Sequence, residues 1–175
     1  MQHLLLMCGP AFSGKAVVSK AIERQLGCVR VSLDEINSER GLPSGGEGLP
    51  PEAWEASSRG AVRRVRAALQ AGRDVVLDDT CCFRFLRDRY RAVADDLGVP
   101  TLVLYLEVPV AELERRRAAN RERAGRSDVV DAVFRPHLET FEPPNADEDV
   151  MVVRPADETI DAFVGRVLMR IHRRR

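Results

Sequence analysis

Residues 4–15 read LLLMCGPAFSGK, and this stretch decides the fold of the 175-residue chain. The apolar run Leu4–Cys8 has the length of a buried strand, and a glycine-rich turn follows it directly. Helical spacing of apolar residues predicts a helix over Lys15–Leu26, which Gly27 ends. In such a Gly-x4-Gly-Lys turn, successive backbone N–H groups surround an anion and the lysine neutralises terminal phosphates. The sequence therefore predicts a phosphate-binding loop for a nucleotide.

The predicted nucleotide contacts cover the whole loop and the first helical turn. They are Gly9, Pro10, Ala11, Phe12, Ser13, Gly14, Lys15, Ala16 and Val17. Position 16 departs from the usual motif, in which a Ser or Thr hydroxyl ligates magnesium. Ala16 offers only its backbone N–H, so either water and a carboxylate complete the metal site or catalysis is weak. The alternative for the loop as a whole is an ordinary glycine-rich turn that opens a helix.

The bulk composition excludes several classes of protein. The length suits one domain over residues 1–175. A net formal charge of zero and 5% aromatic residues argue against a general nucleic-acid binder. The four cysteines show neither zinc-ligand nor disulfide-scaffold spacing, which predicts reduced thiols. The N-terminal apolar run is too short for a signal peptide or a membrane span. We therefore expect a soluble cytoplasmic protein, either a monomer or a homodimer.

Strand and helix patterns alternate along the whole sequence. Strands are predicted over Leu4–Cys8, Cys28–Ser32, Asp74–Leu77, Thr101–Val108 and Val150–Val153. Helices are predicted over Lys15–Leu26, Glu52–Ala71, Arg84–Leu97, Val110–Ala124, Asp128–Phe141 and Thr159–Ile171. This pattern predicts an α/β fold with a five-stranded parallel sheet and helices on both faces. Because such sheets bind ligands beyond the carboxyl ends of their strands, the residues that follow each strand are the candidate site.

Asp34 follows the second predicted strand and is the candidate general base. A phosphoryl-transfer enzyme needs a carboxylate that orients the acceptor hydroxyl and takes its proton. The alternative role for Asp34 is to cap a short helix that begins at Glu35.

Asp78 and Asp79 end the third predicted strand, where P-loop proteins present a carboxylate to the magnesium shell. With Ala16 unable to ligate the metal, one of them is expected to substitute, through water. Strand alternation predicts that only one of the two carboxylates points into the cleft and leaves open which one. The alternative is that both are solvated and cap the following helix.

The helix predicted over Val110–Ala124 is rich in arginine. It carries Arg115, Arg116, Arg117, Arg121 and Arg123, with Arg126 just beyond. Arg116, Asn120 and Arg123 share one helical face. An Arg-bearing lid can close over a nucleotide and stabilise charge on the transferring group. We expect one or two of these arginines to reach phosphate and most of them to lie on the surface. The alternative is a solvated helix with intrahelical pairs, for which Glu112–Arg116 and Glu114–Arg117 have the right spacing.

Several motifs together resemble a known group of enzymes. They are GPAFSGK, Asp34 after the second strand, the strand end Asp78-Asp79-Thr80, the segment LYLEVPVAELERRRAANRER, and Phe141-Glu142-Pro143-Pro144. This set looks like the small P-loop kinases related to polynucleotide 5′-kinase, which include chloramphenicol phosphotransferase-like and zeta-toxin-like enzymes. The resemblance covers roughly residues 3–155. It implies a three-layer, nucleoside-kinase-like P-loop NTPase fold with an Arg-rich lid near residues 115–130.

The resemblance also implies roles for single residues. The implied catalytic set is Lys15 on the β- and γ-phosphates, Asp34 as the base, Arg116 as the first lid arginine, and Arg123 or Arg121 as the second. The chain near Arg154-Pro155 would lie beside the adenine. In the polynucleotide kinases an arginine three residues after the base holds the acceptor's phosphate, and here that position is Asn37. This departure favours a neutral small acceptor, such as an antibiotic or a nucleoside, over a polynucleotide.

These observations lead to one expectation with two alternatives. We expect a magnesium-dependent kinase that transfers the γ-phosphate of ATP, or of GTP, to a hydroxyl of a small molecule. The acceptor pocket is expected in the segment between Asn37 and Trp54. The first alternative is a nucleic-acid 5′-hydroxyl kinase. The second, which Ala16 favours, is a nucleotide-binding module with weak catalysis.

Overall fold

The sheet has five strands, all parallel, in the order β2-β3-β1-β4-β5. The computed structural model describes residues 2–43, 48–123 and 129–173, with the backbone alone described at residue 123. The strands are β1 (Leu4–Cys8), β2 (Val29–Ser32), β3 (Val75–Asp78), β4 (Thr101–Leu106) and β5 (Val150–Val153). The predicted five-stranded parallel sheet is confirmed.

Helices cover both faces of the sheet, as predicted. They are α1 (Lys15–Leu26), α2 (Leu33–Glu39), α3 (Pro51–Gln70), α4 (Arg84–Asp95), α5 (Val110–Arg123), α6 (Asp131–Glu139) and α7 (Ile160–His172). The predicted start of the sixth helix at Asp128 and the centre of the predicted lid lie outside the described residues. Among the described helices, none is both long and apolar enough to cross a membrane.

The central strand β1 divides the hydrophobic core into two layers. All five of its residues are 0% exposed, and successive side chains point to opposite faces of the sheet. Leu5 and Met7 pack in the layer formed with α1 and α7. Leu4 and Leu6 pack in the layer formed with α3 and α4. Because β1 lies at the centre of the sheet, the loop that follows it leaves from the middle of the carboxyl edge.

A third, smaller cluster joins this loop to the following helices. Phe12 is buried and packs with Leu113 of α5 and Phe134 of α6. The Phe12 and Phe134 rings meet edge to face, with centroids 5.8 Å apart. Phe12 has a φ of 65°, an uncommon conformation for a non-glycine residue. The contacts of its ring therefore hold the loop in a strained conformation beside α5 and α6.

A buried ion pair holds the chain that follows β3. Arg87 and Glu148 are both 0% exposed in their side chains, and two hydrogen bonds of 2.7 and 3.0 Å join them. Arg87 Nη1 also donates to the carbonyls of Cys81 and Glu142, each at 2.9 Å. Cys81 has a φ of 44°, so the hydrogen bond from Arg87 supports another uncommon backbone conformation.

Candidate functional site

A cavity of about 650 Å³ lies at the carboxyl edge of β1, β2 and β3. Three parts of the chain form its polar floor: the loop after β1, the start of α2 and the end of β3. The lining residues from these parts are Ala11, Phe12, Gly14, Lys15, Ala16, Val17, Leu33, Asp34, Asp78, Asp79 and Thr80. The cavity thus brings together the predicted phosphate loop, the predicted base and both predicted metal carboxylates.

The loop after β1 delivers the amino end of α1 to this cavity. Gly14 is the N-cap of α1 with a φ of 105°, and no side chain caps the helix. The first N–H groups of a helix have no intrahelical partner, so Lys15 and Ala16 present theirs where an anion would bind. A Cβ at Gly9 would lie 2.9 Å from Ser13 Oγ and 3.1 Å from the Leu106 carbonyl. The close approach of the loop to β4 therefore requires glycine there.

The Lys15 ammonium bridges the loop from which it comes. Nζ donates to the carbonyls of Gly9 at 2.9 Å and Pro10 at 2.8 Å. These contacts hold the cation over the concave side of the loop. They also show that the lysine is more than a solvent-facing charge, because it braces the loop itself.

Asp34 lies at the cavity in the first turn of α2, exposed to solvent. The alternative that Asp34 caps this helix is wrong. Ser32 is the N-cap, and its Oγ accepts from the Glu35 N–H at 3.4 Å. Ser32 at the end of β2 thus caps the helix, and Asp34 lines the cavity.

Asp78 and Asp79 both line the cavity, and the prediction that only one of the two carboxylates points into it stays a prediction. The strand ends at Asp78, and alternation no longer constrains the following residue. Asp78 is 9% exposed, and its Oδ2 accepts from Ser19 Oγ and from Arg30 Nη1, each at 2.8 Å. Ser19 lies one helical turn beyond Ala16. A hydroxyl of α1 therefore contacts the Asp78 carboxylate even though position 16 has none.

Asp79 has a different environment. Its Oδ1 accepts from the Thr80 N–H at 2.6 Å. Burial raises the pKa of Asp79; the Thr80 N–H and Lys15 oppose this rise, whereas the Asp34 and Asp78 carboxylates add to it. Asp79 thus shares the cavity floor with Lys15, Asp34 and Asp78.

The donor set suits magnesium only together with a nucleotide. In the described part of the chain, no group of three or more His, Cys, Asp or Glu side chains could hold a metal alone. Magnesium prefers oxygen ligands and keeps several waters, and kinase sites bind it through one or two carboxylates plus substrate phosphates. Asp78 and Asp79, with the Thr80 hydroxyl beside them, fit such a site.

Of the predicted lid arginines, Arg116 lies against the phosphate loop. Its Nη1 donates to the carbonyls of Ser13 at 3.1 Å and Phe12 at 3.3 Å, and Nε donates to Glu112 at 2.7 Å. Arg121 instead lies 3.9 Å from Asp131 of α6, away from the cavity lining. The prediction that Glu114 pairs with Arg117 is wrong, because the buried Arg117 guanidinium pairs with Asp131 and lies 4.7 Å from the Phe134 ring centroid.

The remaining predicted nucleotide contacts lie outside the cavity lining or the described side chains. Arg154 is 59% exposed and donates to Glu107 at 2.6 Å. It follows β5 with Pro155, at the sheet edge two strands from β1. The side chain of Arg123 and all of Arg126 are outside the described residues.

The far wall of the cavity was missed by the sequence analysis. Among the described residues, three helices form this wall. The acceptor pocket was predicted in the segment between Asn37 and Trp54, and of the described part of that segment Pro51 and Trp54 line the cavity. The wall consists of Pro51, Trp54, Glu55 and Ser58 of α3, Cys82, Phe83, Phe85, Leu86 and Arg89 around the start of α4, and Val129, Val133 and His137 around α6. The Phe83 and Phe85 rings stack with centroids 5.6 Å apart. Trp54, Phe83 and Phe85 therefore give this wall of the cavity an aromatic surface.

His137 lines the cavity, whereas Asn37 points into the protein. Burial lowers the pKa of His137, and Lys15 adds to this effect, so a neutral imidazole lines the cavity at pH 7. Asn37 is 0% exposed and accepts from Ser57 Oγ beneath α3. Asn37 therefore points into the protein, and the absence of an arginine at this position carries no information about the charge of an acceptor.

A family model described as an AAA domain matches residues 4–144. That span contains the phosphate loop, both strand-end carboxylates and the arginine helix α5. The chain belongs to this AAA-domain family. No curated protein matches this AAA domain significantly.

Solved kinases share the fold of this AAA domain. A sugar kinase from Janibacter sp. HTCC2649 has 18% identity and a TM-score of 0.69 over 97% of this chain and 94% of its own. The APS kinase of Mycobacterium tuberculosis, solved with AMPPNP and APS, has 18% identity and a TM-score of 0.70 over 98% of each chain. A gluconokinase from Sinorhizobium meliloti 1021 has 17% identity and a TM-score of 0.67 over 98% and 97%. At these identities the likeness establishes a P-loop kinase fold.

Proposed function

We propose that this protein is an ATP-dependent kinase that transfers the γ-phosphate to a hydroxyl of a small molecule. The observation that carries the proposal is the single cavity shared by Lys15, Asp34 and Asp79, with the uncapped amino end of α1 beside them. Phosphoryl transfer requires this combination of anion binding, a base and a metal carboxylate. The solved structures of similar fold include a sugar kinase, an APS kinase and a gluconokinase, which supports a small-molecule acceptor.

The arrangement suggests a division of roles. The loop N–H groups and Lys15 bind the β- and γ-phosphates, and Arg116 braces the loop from α5. Asp78 and Asp79 would hold a magnesium ion that enters with the nucleotide, and this ion would supply charge neutralisation for the phosphates. Asp34 accepts the proton of the acceptor hydroxyl, whose oxygen forms a bond to the γ-phosphorus. The bond from that phosphorus to the β–γ bridging oxygen breaks, and ADP leaves.

The narrower resemblance to polynucleotide 5′-kinase and its relatives stays a prediction. It would bring Arg123 or Arg121 to the nucleotide as a second lid contact, and it would place the chain near Arg154-Pro155 beside the adenine. The loop N–H groups and Lys15 would contact only the phosphates of the nucleotide, so these contacts suit GTP as well as ATP.

An acceptor panel with radiolabelled ATP tests the proposal. The panel contains nucleosides, sugars, sugar acids and aromatic alcohols, each with and without magnesium. We expect transfer to at least one acceptor, and the Asp34→Asn variant to lose about 10²–10⁴-fold in rate with little change in ATP affinity. Glu39→Gln is the matched control, because Glu39 lies on the same helix, pairs with Arg64 on the surface and is outside the cavity lining.

Two results would contradict the proposal. An unaltered rate in Asp34→Asn would remove the base from the mechanism. ATP binding without transfer to any acceptor, in the parent and in Ala16→Ser alike, would favour the nucleotide-binding module instead.

A further inference from the structure

A second concave region adjoins the aromatic wall of the cavity. It is a groove of about 310 Å³ lined by Glu55, Arg59, Val62, Arg63 and Arg89. Glu55 and Arg89 also line the main cavity, so the two spaces share a wall. We call this region the arginine groove. Neither the predicted nucleotide contacts nor the proposed catalytic groups use it.

The arginine groove carries a surplus of positive charge. Three guanidinium groups face one carboxylate, a net formal charge of +2. Glu55 is shared, because Arg89 Nη1 lies 3.2 Å from it and Arg59 Nη1 lies 3.6 Å from it. In the part of the chain that the structure describes, Arg63 forms no ion pair and is exposed to solvent. Guanidinium groups bind phosphate through two parallel N–H donors, which makes an arginine cluster suited to that anion.

The geometry of α3 connects the arginine groove to the reaction centre. Pro51, Trp54, Glu55 and Ser58 line the main cavity along the first two turns of this helix. Arg59 and Arg63 follow on the next two turns, and four residues advance a helix by about 6 Å. A molecule with its hydroxyl at Asp34 and an aromatic ring near Trp54 would thus direct its far end towards the arginines.

We infer that the acceptor bears a phosphate monoester, bound in the arginine groove, in addition to the hydroxyl that is phosphorylated. A phosphate monoester carries a charge of about −1.5 to −2 at pH 7, which matches the groove better than a singly charged carboxylate does. This inference rests on the proposed function for the identity of the hydroxyl site. The binding of the phosphate itself does not depend on catalysis.

Trp54 gives a direct readout, because it is the only tryptophan in the chain and lines the cavity. The phosphate loop is first saturated with AMPPNP and magnesium. Quenching of Trp54 fluorescence is then titrated with thymidine and with thymidine 3′-phosphate, which share a ring and a 5′-hydroxyl and differ in the phosphate. D-Gluconate serves as the carboxylate probe without a ring.

We expect thymidine 3′-phosphate to bind at least about tenfold more tightly than thymidine. In Arg59→Gln/Arg63→Gln this advantage should fall to within about threefold, while thymidine affinity stays the same. Arg64→Gln is the matched control, because Arg64 lies on the same helix, pairs with Glu39 and is outside both concave regions. It should retain the full advantage.

Equal affinities for the two nucleosides, tighter binding of gluconate, or an advantage that survives the double substitution would each overturn the inference. The same measurements distinguish failure of the phosphate site from failure of the proposed kinase function. If thymidine 3′-phosphate binds with the expected preference and no acceptor is ever phosphorylated, the phosphate site stands and the kinase does not. If transfer occurs to neutral acceptors alone, the kinase stands and the phosphate site does not.

Discussion

The buried pair Arg87–Glu148 supports the cavity wall, and Arg87→Met tests how much. The guanidinium makes two bonds to Glu148 and bonds to the carbonyls of Cys81, Glu142 and Pro143 at 2.9, 2.9 and 3.5 Å. Methionine fills similar volume and replaces none of them. Glu148 would then be a buried carboxylate with one remaining hydrogen bond, from the Asn145 N–H at 2.9 Å, and a long ion pair with Arg84 Nη1 at 4.0 Å.

Removing one partner of a buried ion pair costs about 3–5 kcal/mol, a large share of the roughly 5–15 kcal/mol that stabilises a domain. At about 2–4 °C per kcal/mol for a chain of this size, the melting temperature should fall by roughly 6–20 °C. Urea unfolding followed by circular dichroism gives the free energy of unfolding. Arg91→Met is the matched control, since its pair with Asp88 is on the surface and should cost less than about 1 kcal/mol.

The pH dependence adds a second test of the same pair. Burial alone would raise the pKa of Glu148, but Arg87, together with the Asn145 N–H and Arg84, outweighs it and holds the pKa below its ordinary value of 4.5. The pair therefore stabilises the parent above about pH 4.5, and this contribution is lost as the pH falls. In Arg87→Met burial raises that pKa instead, so the penalty should be largest at neutral pH and shrink below pH 4.5. A loss under 1 kcal/mol at pH 7, or a loss that grows in acid, would refute the reasoning.

Two further predictions concern the loop and the thiols. Ala16→Ser places a hydroxyl at the first turn of α1, so it should lower the magnesium concentration needed for half-maximal activity; an unchanged magnesium titration in an active parent would show that another group already supplies this ligand. Burial raises the pKa of Cys8 to about 12 and that of Cys28 to about 11, with burial also raising those of Cys81 and Cys82. At pH 8 the Cys8 and Cys28 thiolate fractions are then about one in a thousand or less, so a disulfide reagent should modify these two in the folded protein only slowly, and rapid modification of either would contradict their burial.

The sequence predicted the elements whose signals are local. The apolar run Leu4–Cys8, the glycines of the loop and the helix from Lys15 are encoded within twelve residues, and the structure has them as predicted. Asp34, Asp78 and Asp79 were found because parallel strands end at one edge of the sheet, so position along the chain sufficed to bring them together.

The far wall could not be predicted in the same way, because it depends on which faces of distant helices meet. Arg89 and His137 lie in amphipathic segments where nothing local separates a cavity residue from a surface residue. Asn37 gave a misleading signal for the same reason, since its place three residues after Asp34 says nothing about its burial beneath Ser57. The alternation of side chains along a strand does not fix the direction of Asp79, because the strand ends at Asp78.

The central claim is that the loop after β1 binds the phosphates of a nucleotide through Lys15. Calorimetric titration of ATP with magnesium into Lys15→Ala tests it most directly, with Lys20→Ala, the only other lysine and an exposed residue of α1, as the matched control. Loss of charge-assisted bonds to phosphate should weaken ATP binding by about ten- to hundredfold in Lys15→Ala. Lys20→Ala should bind as the parent does. Equal ATP affinity in the two variants, with both folded, would contradict the account.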